Sequence, residues 1–156
     1  MQIKKILDEK DIKRIEEIIE RNYGCKFRMN SYGAFITSEE KIWLFSKSID
    51  FGLFKKIKRC YRIGIYFGKL KRNNKIKLSI EGANLIGKNA SKNIAILNDK
   101  EAIKFIEGYD VKADELINCE LNNFVLIKYK GDVLGVGILR QGYIENLTPK
   151  ARRLKI

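Results

Sequence analysis

The hydrophobic pattern predicts a first part of the chain that alternates between helices and strands. Isoleucines spaced three and four residues apart form one apolar stripe and predict a helix from about Asp8 to Asn22, with Gly24 as a left-handed stop. The charged N-terminal sequence MQIKKILDEKDIKRIEE reads as helix and not as a secretory signal. A three-strand meander follows, and Ser48 is a suitable cap for a second helix. These strands are predicted at 26–29, 34–37 and 41–45, and this helix at 48–59.

Strands dominate the rest of the pattern. One hairpin is predicted across the cationic turn at 71–74, and a second hairpin turns at 130–132. A capping-box sequence at 98–101 predicts a helix that ends at Gly108, with Ala102, Ile103 and Ile106 facing inward. The predicted strands are 61–69, 75–80, 93–97, 123–129, 133–139 and 143–147, and the predicted helices are 81–86 and 98–107.

Together these elements indicate an α+β fold with two domains. A chain of 156 residues with 45% apolar residues can bury a real core. The charge balance changes sharply near residue 84, so we place the domain boundary there. Residues 1–83 are then a small α+β domain, and residues 84–156 are a mostly β domain with one helix.

The positive charge is concentrated in one stretch of the chain. The formal net charge is +13, yet residues 1–50 contribute only +1 and residues 81–156 only +2. Residues 51–80 carry ten lysines and arginines and no acidic residue, and their apolar spacing indicates that they fold. A folded surface of one sign favours a polyanionic partner, either nucleic acid or an anionic membrane surface. The apolar runs are too short for a membrane span, so we expect a soluble, cytoplasmic protein without membrane association.

Residues suited to catalysis are scarce. Histidine is absent, which removes the commonest general base and metal ligand. Cys25, Cys60 and Cys119 are too far apart for a CxxC metal site and are interpreted as structural thiols. The sequence Gly135-Val136-Gly137 lacks the third glycine of a dinucleotide loop and is attributed to close strand packing.

Two groups of carboxylates also lack a spacing typical of metal ligands. The first group lies on the predicted N-terminal helix and is interpreted as a solvated surface, and the second lies in a loop. They are Glu16, Glu17 and Glu20, and Asp110, Asp114 and Glu115. We therefore expect no catalytic residue, no metal and no cofactor.

Residues 42–87 resemble a known domain junction. Their most distinctive part, IGIYFGKLKRNNKIKLSIEGANLIGK, is similar to the join between the pre-PUA and PUA domains of archaeal and eukaryotic Nip-type factors of large-subunit ribosome biogenesis. Phe67-Gly68-Lys69 matches the turn of that family, and Lys75-Ile76-Lys77-Leu78 matches its basic hairpin. The C-terminal sequence VLGVGILRQGYIENLTPKARRL resembles the RNA-binding PUA-like tail of rRNA cytosine methyltransferases of the Fmu/Sun/Nop class.

These resemblances imply a pre-PUA domain followed by a PUA-like pseudo-barrel. They also imply a non-catalytic protein that binds rRNA during ribosome assembly or rRNA modification, as an adaptor for a separate rRNA methyltransferase or assembly factor. Residues 108–120 lack the proline-glycine loop that many PUA domains use against a tRNA-like end, so tRNA-style recognition is not carried over. The chain has no glycine-rich cofactor loop and no Pro-Cys dipeptide, so methyltransferase activity is not carried over.

Two basic clusters are candidates for the RNA-binding surface. The hairpin cluster comprises Lys69, Lys71, Arg72, Lys75 and Lys77, together with the outer face of the predicted helix at 48–59. The tail cluster comprises Arg140, Lys150, Arg152, Arg153 and Lys155. The resemblance favours the tail cluster, since PUA-like domains bind RNA through basic residues near their C-terminal strand, and arginine suits planar phosphate contacts better than lysine. The alternatives are a solvated surface for the hairpin cluster and a frayed terminus for the tail cluster.

Tyr61, Tyr66 and Tyr143 are candidate platforms on which bases would stack, although strand tyrosines are commonly core residues. Two other functions also stay open at this point. The chain is alternatively a protein-interaction module of a ribosome-assembly complex, or an RNA-modifying or nuclease enzyme in a PUA-like fold. An RNA reader would lose affinity steeply with salt, whereas an apolar protein interface would hardly respond.

Overall fold

The computed structural model describes residues 2–47 and 64–155. The predicted helix at 48–59, Cys60 and Tyr61 lie outside the described residues. The described chain forms two five-stranded sheets and three α-helices, which confirms the α+β class. The helices are α1 (Glu9–Tyr23), α2 (Ile80–Ile86) and α3 (Asp99–Ile106), and a 3₁₀ turn follows at Lys150–Arg152.

Sheet 1 is a fully antiparallel meander in the order β1-β2-β3-β4-β5. Sheet 2 has the order β10-β9-β8-β6-β7, in which only β6 and β8 run parallel. The strands of sheet 1 are β1 (Ile3–Ile6), β2 (Tyr32–Thr37), β3 (Lys41–Ser46), β4 (Ile65–Lys71) and β5 (Lys75–Leu78). The strands of sheet 2 are β6 (Ile94–Ile96), β7 (Glu115–Ile117), β8 (Phe124–Tyr129), β9 (Asp132–Arg140) and β10 (Tyr143–Asn146).

The prediction of one continuous N-terminal helix is wrong, and so is the prediction of a strand at 26–29. Asp8 forms a reciprocal capping box with Asp11, which starts α1 at Glu9 and leaves the preceding residues free to pair with β2 as β1. Residues 26–29 are irregular, because their apolar side chains pack into the core without strand pairing. The Met29 N–H donates to the Glu16 carboxylate at 2.8 Å instead.

Helix α1 packs against the inner face of sheet 1, as its apolar stripe predicts. Ile15, Ile18 and Ile19 are buried in one core with residues of β2 to β5. The helix ends at Gly24, whose φ of +64° is the left-handed conformation that favours glycine.

Sheet 2 confirms the predicted hairpin and adds a strand that the sequence did not reveal. Its short strand β7 is half exposed and has too few residues for a clear alternation. An isolated bridge between Val111 and Ile144 brings the two ends of the sheet together. The inward position predicted for Ile103 on α3 is wrong, because Ile103 is 46% exposed. The buried residues of this helix are Ala102, as predicted, and Phe105.

The two sheets share a core and a polar seam. Leu126 of β8 and Val136 of β9 belong to the same buried cluster as α1 and sheet 1. At the seam, the Asn93 side chain donates to the Asn22 carbonyl at 2.6 Å, and the Ser91 backbone N–H donates to the Tyr23 carbonyl at 2.8 Å. The division at residue 84 stays a prediction, and it falls within α2. None of the helices in the described part of the chain is long and apolar enough to cross a membrane.

Candidate nucleic-acid interface

The hairpin of β4 and β5 places its lysines in two rows on one face of sheet 1. Lys69 pairs with Lys77, and Lys71 pairs with Lys75, so each lysine lies opposite another lysine. The alternate residues of β5 are buried on the other face, against α1. Like charges in directly opposite positions are unfavourable for folding. The hairpin therefore maintains this charge pattern at a cost to stability.

A β-bulge brings an aromatic ring to the same face. Ile42 pairs with Gly68, and Trp43 pairs with Tyr66, so the bulge leaves Phe67 without a directly paired residue on β3. Phe67 turns into the core, where it is fully buried, and Tyr66 lies beside Trp43 with ring centroids 5.4 Å apart. The Lys41 Nζ lies 5.9 Å from the Tyr66 ring. We call the surface formed by Lys41, Tyr66, Lys69, Lys71, Lys75 and Lys77 the hairpin face.

The hairpin cluster has few acidic neighbours within the described part of the chain. None of its five members forms an ion pair with a described residue. Partial burial lowers the pKa of Lys77, and the neighbouring charges of Lys71, Lys69 and Lys41 lower it further. Glu39 is a carboxylate close to these lysines, and a hydrogen bond from Lys41 lowers the pKa of its carboxyl. The hairpin face is thus a region of positive potential in which an added anion would relieve repulsion.

The turn of the hairpin is anchored to α1. Asn73 and Asn74 both have positive φ, which suits asparagine in a tight turn. The Asn22 side chain donates to the Asn74 carbonyl at 2.8 Å, and the Tyr23 hydroxyl donates to the Ile76 carbonyl at 2.8 Å. Arg72 at the tip is exposed. These bonds hold the lysine rows at a defined position.

The arginines of the tail cluster are all bonded within the protein. Arg140 donates to the Asn122 side chain at 3.1 Å and lies 3.4 Å from a Glu145 carboxylate oxygen. The Arg153 Nε donates to the Thr148 carbonyl at 3.1 Å. Its side chain packs over Gly108, where a Cβ atom would collide with it. Lys150 and Lys155 are exposed and have no ion pair with a described residue.

Arg152 joins the hairpin cluster rather than the other arginines. Its Nη1 lies 2.6 Å from a Glu81 carboxylate oxygen. Arg152 and Lys77 line one cleft of about 130 Å³ where the two sheets meet, which we call the junction cleft. Arg140 instead lines a groove beside β10, on the rim of sheet 2. The predicted tail cluster therefore does not form one site: Arg152 adjoins the hairpin face, Arg140 lines the rim groove, and Arg153 packs over Gly108.

The rim groove combines Tyr143, a predicted stacking platform, with two leucines that the sequence did not single out. Leu116, Leu121 and Tyr143 are each between 42% and 53% exposed and line the groove together with Lys112. Sequence reasoning also missed Lys41 and Glu81 at the hairpin face and the junction cleft. The position of Lys41 beside Lys69 depends on the bulged register of β3 and β4, and the partner of Arg152 depends on a contact across 71 positions of the chain.

Three of the six candidate carboxylates form hydrogen bonds within the protein. Asp110 accepts the Asn146 backbone N–H at 2.9 Å, and Asp114 accepts the Asn98 side chain at 2.9 Å. The solvated interpretation is wrong for Glu16, which is partly buried and accepts the Met29 N–H. No group of three potential metal ligands occurs within residues 2–47 and 64–155.

Burial raises the pKa of both described thiols, Cys25 and Cys119, which makes them poor nucleophiles. The glycines of Gly135-Val136-Gly137 lie in β9. A Cβ atom on Gly137 would lie 2.8 Å from the Glu145 backbone oxygen, so the interpretation as close strand packing is confirmed for Gly137. A Cβ atom on Gly135 would instead lie 3.1 Å from the Phe105 ring of α3.

Comparisons with known proteins agree with this architecture. Residues 92–154 match the family described as the methyltransferase RsmF PUA domain. This stretch contains β6 to β10 and the tail arginines, whereas the hairpin face precedes it. No curated protein sequence matches the chain.

Two solved structures share the fold over nearly the whole chain. A conserved PUA-domain protein from Thermoplasma acidophilum is 13% identical with a TM-score of 0.62, over 95% of this chain and 96% of that one. A PUA domain from Aeropyrum pernix K1, solved as a tartrate complex, is 10% identical with a TM-score of 0.57, over 94% of this chain and 85% of that one. Residues 92–154 are therefore similar to a PUA domain, and the two-sheet α+β fold of the chain is that of solved PUA-domain proteins.

Proposed function

We propose that this protein binds RNA through the hairpin face and catalyses no reaction. The observation that carries the proposal is the pair of lysine rows that lack carboxylate partners among the described residues. Cations of this kind neutralise phosphates and release the ions condensed around a nucleic acid. Tyr66, partly exposed beside Lys41, adds a ring on which a base would stack. PUA domains generally bind RNA, which supports the same assignment.

The RNA in this proposal is ribosomal, and the protein acts in the cytoplasm as an adaptor for an rRNA methyltransferase or an assembly factor. The resemblance of the basic hairpin and of the C-terminal sequence to rRNA-associated families supports this assignment. Crosslinking in the native cell, followed by sequencing of the bound RNA, is expected to recover rRNA above all. Preferential recovery of tRNA or mRNA would contradict the ribosomal assignment.

Binding to labelled single-stranded and hairpin rRNA fragments, measured by anisotropy at several salt concentrations, tests the RNA-binding surface. The hairpin variant carries Lys69→Gln, Lys71→Gln, Lys75→Gln and Lys77→Gln. If each of these lysines contacts one phosphate, the variant reduces the slope of log affinity against log salt by about 2 to 3 units. The proposal would be contradicted if the wild-type protein showed no salt-dependent binding to the RNA fragments.

A control variant separates local contacts from net charge. It replaces Lys10, Lys13, Lys88 and Lys100 by glutamine, which removes four exposed lysines that have no ion pair with a described residue. Lys10 and Lys13 lie on α1, on the opposite side of sheet 1 from the hairpin face. The control is expected to bind nearly as wild type does. An equal loss in both variants would assign the binding to net charge alone.

The rim groove favours protein docking as a second candidate function. Its exposed Leu116, Leu121 and Tyr143 form an apolar surface that a partner protein would cover. Binding at this groove would respond little to salt, whereas binding at the hairpin face would weaken steeply. A partner whose affinity is lost in Leu121→Ser but unchanged between low and high salt would support this second function.

A further inference from the structure

The junction cleft is built by both sheets. Tyr66 and Lys77 contribute from sheet 1, Ser79 and Glu81 from the start of α2, and Arg152 from the C-terminal 3₁₀ turn. Its volume of about 130 Å³ accommodates a phosphate group. The cleft adjoins the lysine rows directly through Lys77, which belongs to both surfaces.

The charges around the cleft are uneven. Lys77 has no carboxylate partner among the described residues, and its pKa is lowered by burial and by the neighbouring lysines. Glu81 is the acidic residue among the described residues that line the cleft, and its carboxylate is bound to Arg152 at 2.6 Å. A carboxylate so placed resembles a phosphate oxygen in charge and in its ability to accept a hydrogen bond from a guanidinium.

The contact between Glu81 and Arg152 is weak enough to exchange. The two side chains are 44% and 48% exposed, and exposed ion pairs of this kind contribute about 0 to 1 kcal/mol. The observed hydrogen bond uses Nη1, and a guanidinium carries five N–H donors in total. A phosphate can therefore approach Arg152 from the cleft while the rest of the structure stays in place.

We propose that the junction cleft is a phosphate subsite, and that Glu81 is an internal phosphate mimic that a backbone phosphate of RNA displaces from Arg152. This inference rests on the proposed function, because the phosphate belongs to the strand that lies on the hairpin face. The path of the strand then continues from the lysine rows through Lys77 to Arg152. Glu81 weakens the capture of free anions by Arg152, so that Arg152 engages only a phosphate that the lysine rows already hold in place.

The test uses Glu81→Gln, which removes the competing charge and keeps the shape of the side chain. We expect RNA affinity to rise about three- to fivefold at roughly 150 mM salt, in line with the strength of an exposed ion pair. The salt slope should stay close to that of wild type, because the contact between Arg152 and the phosphate forms in both proteins. In an Arg152→Ala background, Glu81→Gln should not raise RNA affinity, because the cation for which Glu81 and the phosphate compete is absent.

Glu145→Gln is the matched control, since it removes the carboxylate partner of Arg140 at the rim groove. Equal gains from Glu81→Gln and Glu145→Gln, or a gain that persists without Arg152, would overturn the assignment to the cleft. An abasic sugar-phosphate strand of the same length should show the same gain, and a gain confined to strands with bases would overturn the phosphate assignment. Thermal unfolding of each variant verifies the fold.

The outcomes separate the two proposals. Wild-type binding that Glu81→Gln leaves unchanged overturns the cleft inference alone. Wild-type protein that shows no salt-dependent RNA binding overturns the proposed function, and the cleft inference with it.

Discussion

The lysines of the hairpin cluster and the arginines of the tail cluster differ in what surrounds them. In the hairpin, Lys69 and Lys77 lie opposite each other, and neither forms an ion pair with a carboxylate of the described chain. In the tail, Arg140, Arg152 and Arg153 each donate to an oxygen of the protein. Residue type favours the arginines for phosphate contacts, but the internal partners favour the lysines. Whether a cation is available to bind a phosphate therefore depends more on its neighbours than on whether it is a lysine or an arginine.

The two clusters also differ in their cost to the fold. The arginines stabilise it by satisfying carbonyl and carboxylate groups, whereas the lysine rows oppose folding through repulsion across the strands. Binding surfaces are commonly maintained at a cost to the stability of the fold. Substituting the lysines should therefore weaken RNA binding and stabilise the fold. Substituting the arginines should destabilise the fold and affect RNA binding less.

The largest expected difference is in RNA affinity. Lys71→Gln with Lys75→Gln should weaken binding about tenfold at roughly 100 mM salt and flatten the salt slope by about 1.4, because two phosphate contacts are lost. Arg152→Ala with Arg153→Ala should flatten the slope by about 0.7, because the contact of Arg152 is lost while Arg153 is held by Thr148 and makes none. Anisotropy titrations of both double variants measure this. A steeper loss in the arginine variant would reverse the ranking of the two clusters.

An intermediate effect is expected on stability at the tail. Arg153→Ala removes the hydrogen bond to the Thr148 carbonyl and the packing over Gly108, and should destabilise the protein by about 1 kcal/mol. This corresponds to a loss of about 2 to 4 °C in Tm for a chain of this size. Lys155→Ala is the control, because Lys155 is exposed and has no described partner. A Tm for Arg153→Ala equal to that of the control would contradict a structural role.

The smallest expected effect is a gain in stability at the hairpin. The folded-state pKa of Lys77 lies below its unfolded value of 10.5, so the charged form favours the unfolded chain. Lys77→Gln should raise the free energy of unfolding by about 0.5 kcal/mol at pH 7. The difference from wild type should shrink as the pH rises through the folded pKa of Lys77 towards 10.5. Urea unfolding of wild type and Lys77→Gln across this pH range measures the difference in the free energy of unfolding. A less stable Lys77→Gln variant at pH 7 would show that repulsion around Lys77 does not destabilise the fold.

Much of the secondary structure was predictable because its signals are local. The apolar stripe of α1, the left-handed Gly24 and the hairpin turns each depend on residues within a few positions. The failures occurred where tertiary contacts compete with local preference. Residues 26–29 have strand-like composition but pack their side chains into the core, and Ile103 is exposed because Phe105 fills the inward position of α3.

By itself, the sequence determined the α+β class, the PUA resemblance and the concentration of charge at the hairpin, because composition, periodicity and turn residues act over short distances. Only the tertiary structure decided which cations have partners. The β-bulge at Phe67 and Gly68 turns Tyr66 towards the lysines, and the meeting of α2 with the C-terminal turn places Glu81 against Arg152. These contacts join residues far apart in the chain, and their free energies depend on burial and distance, which no local pattern of residues specifies.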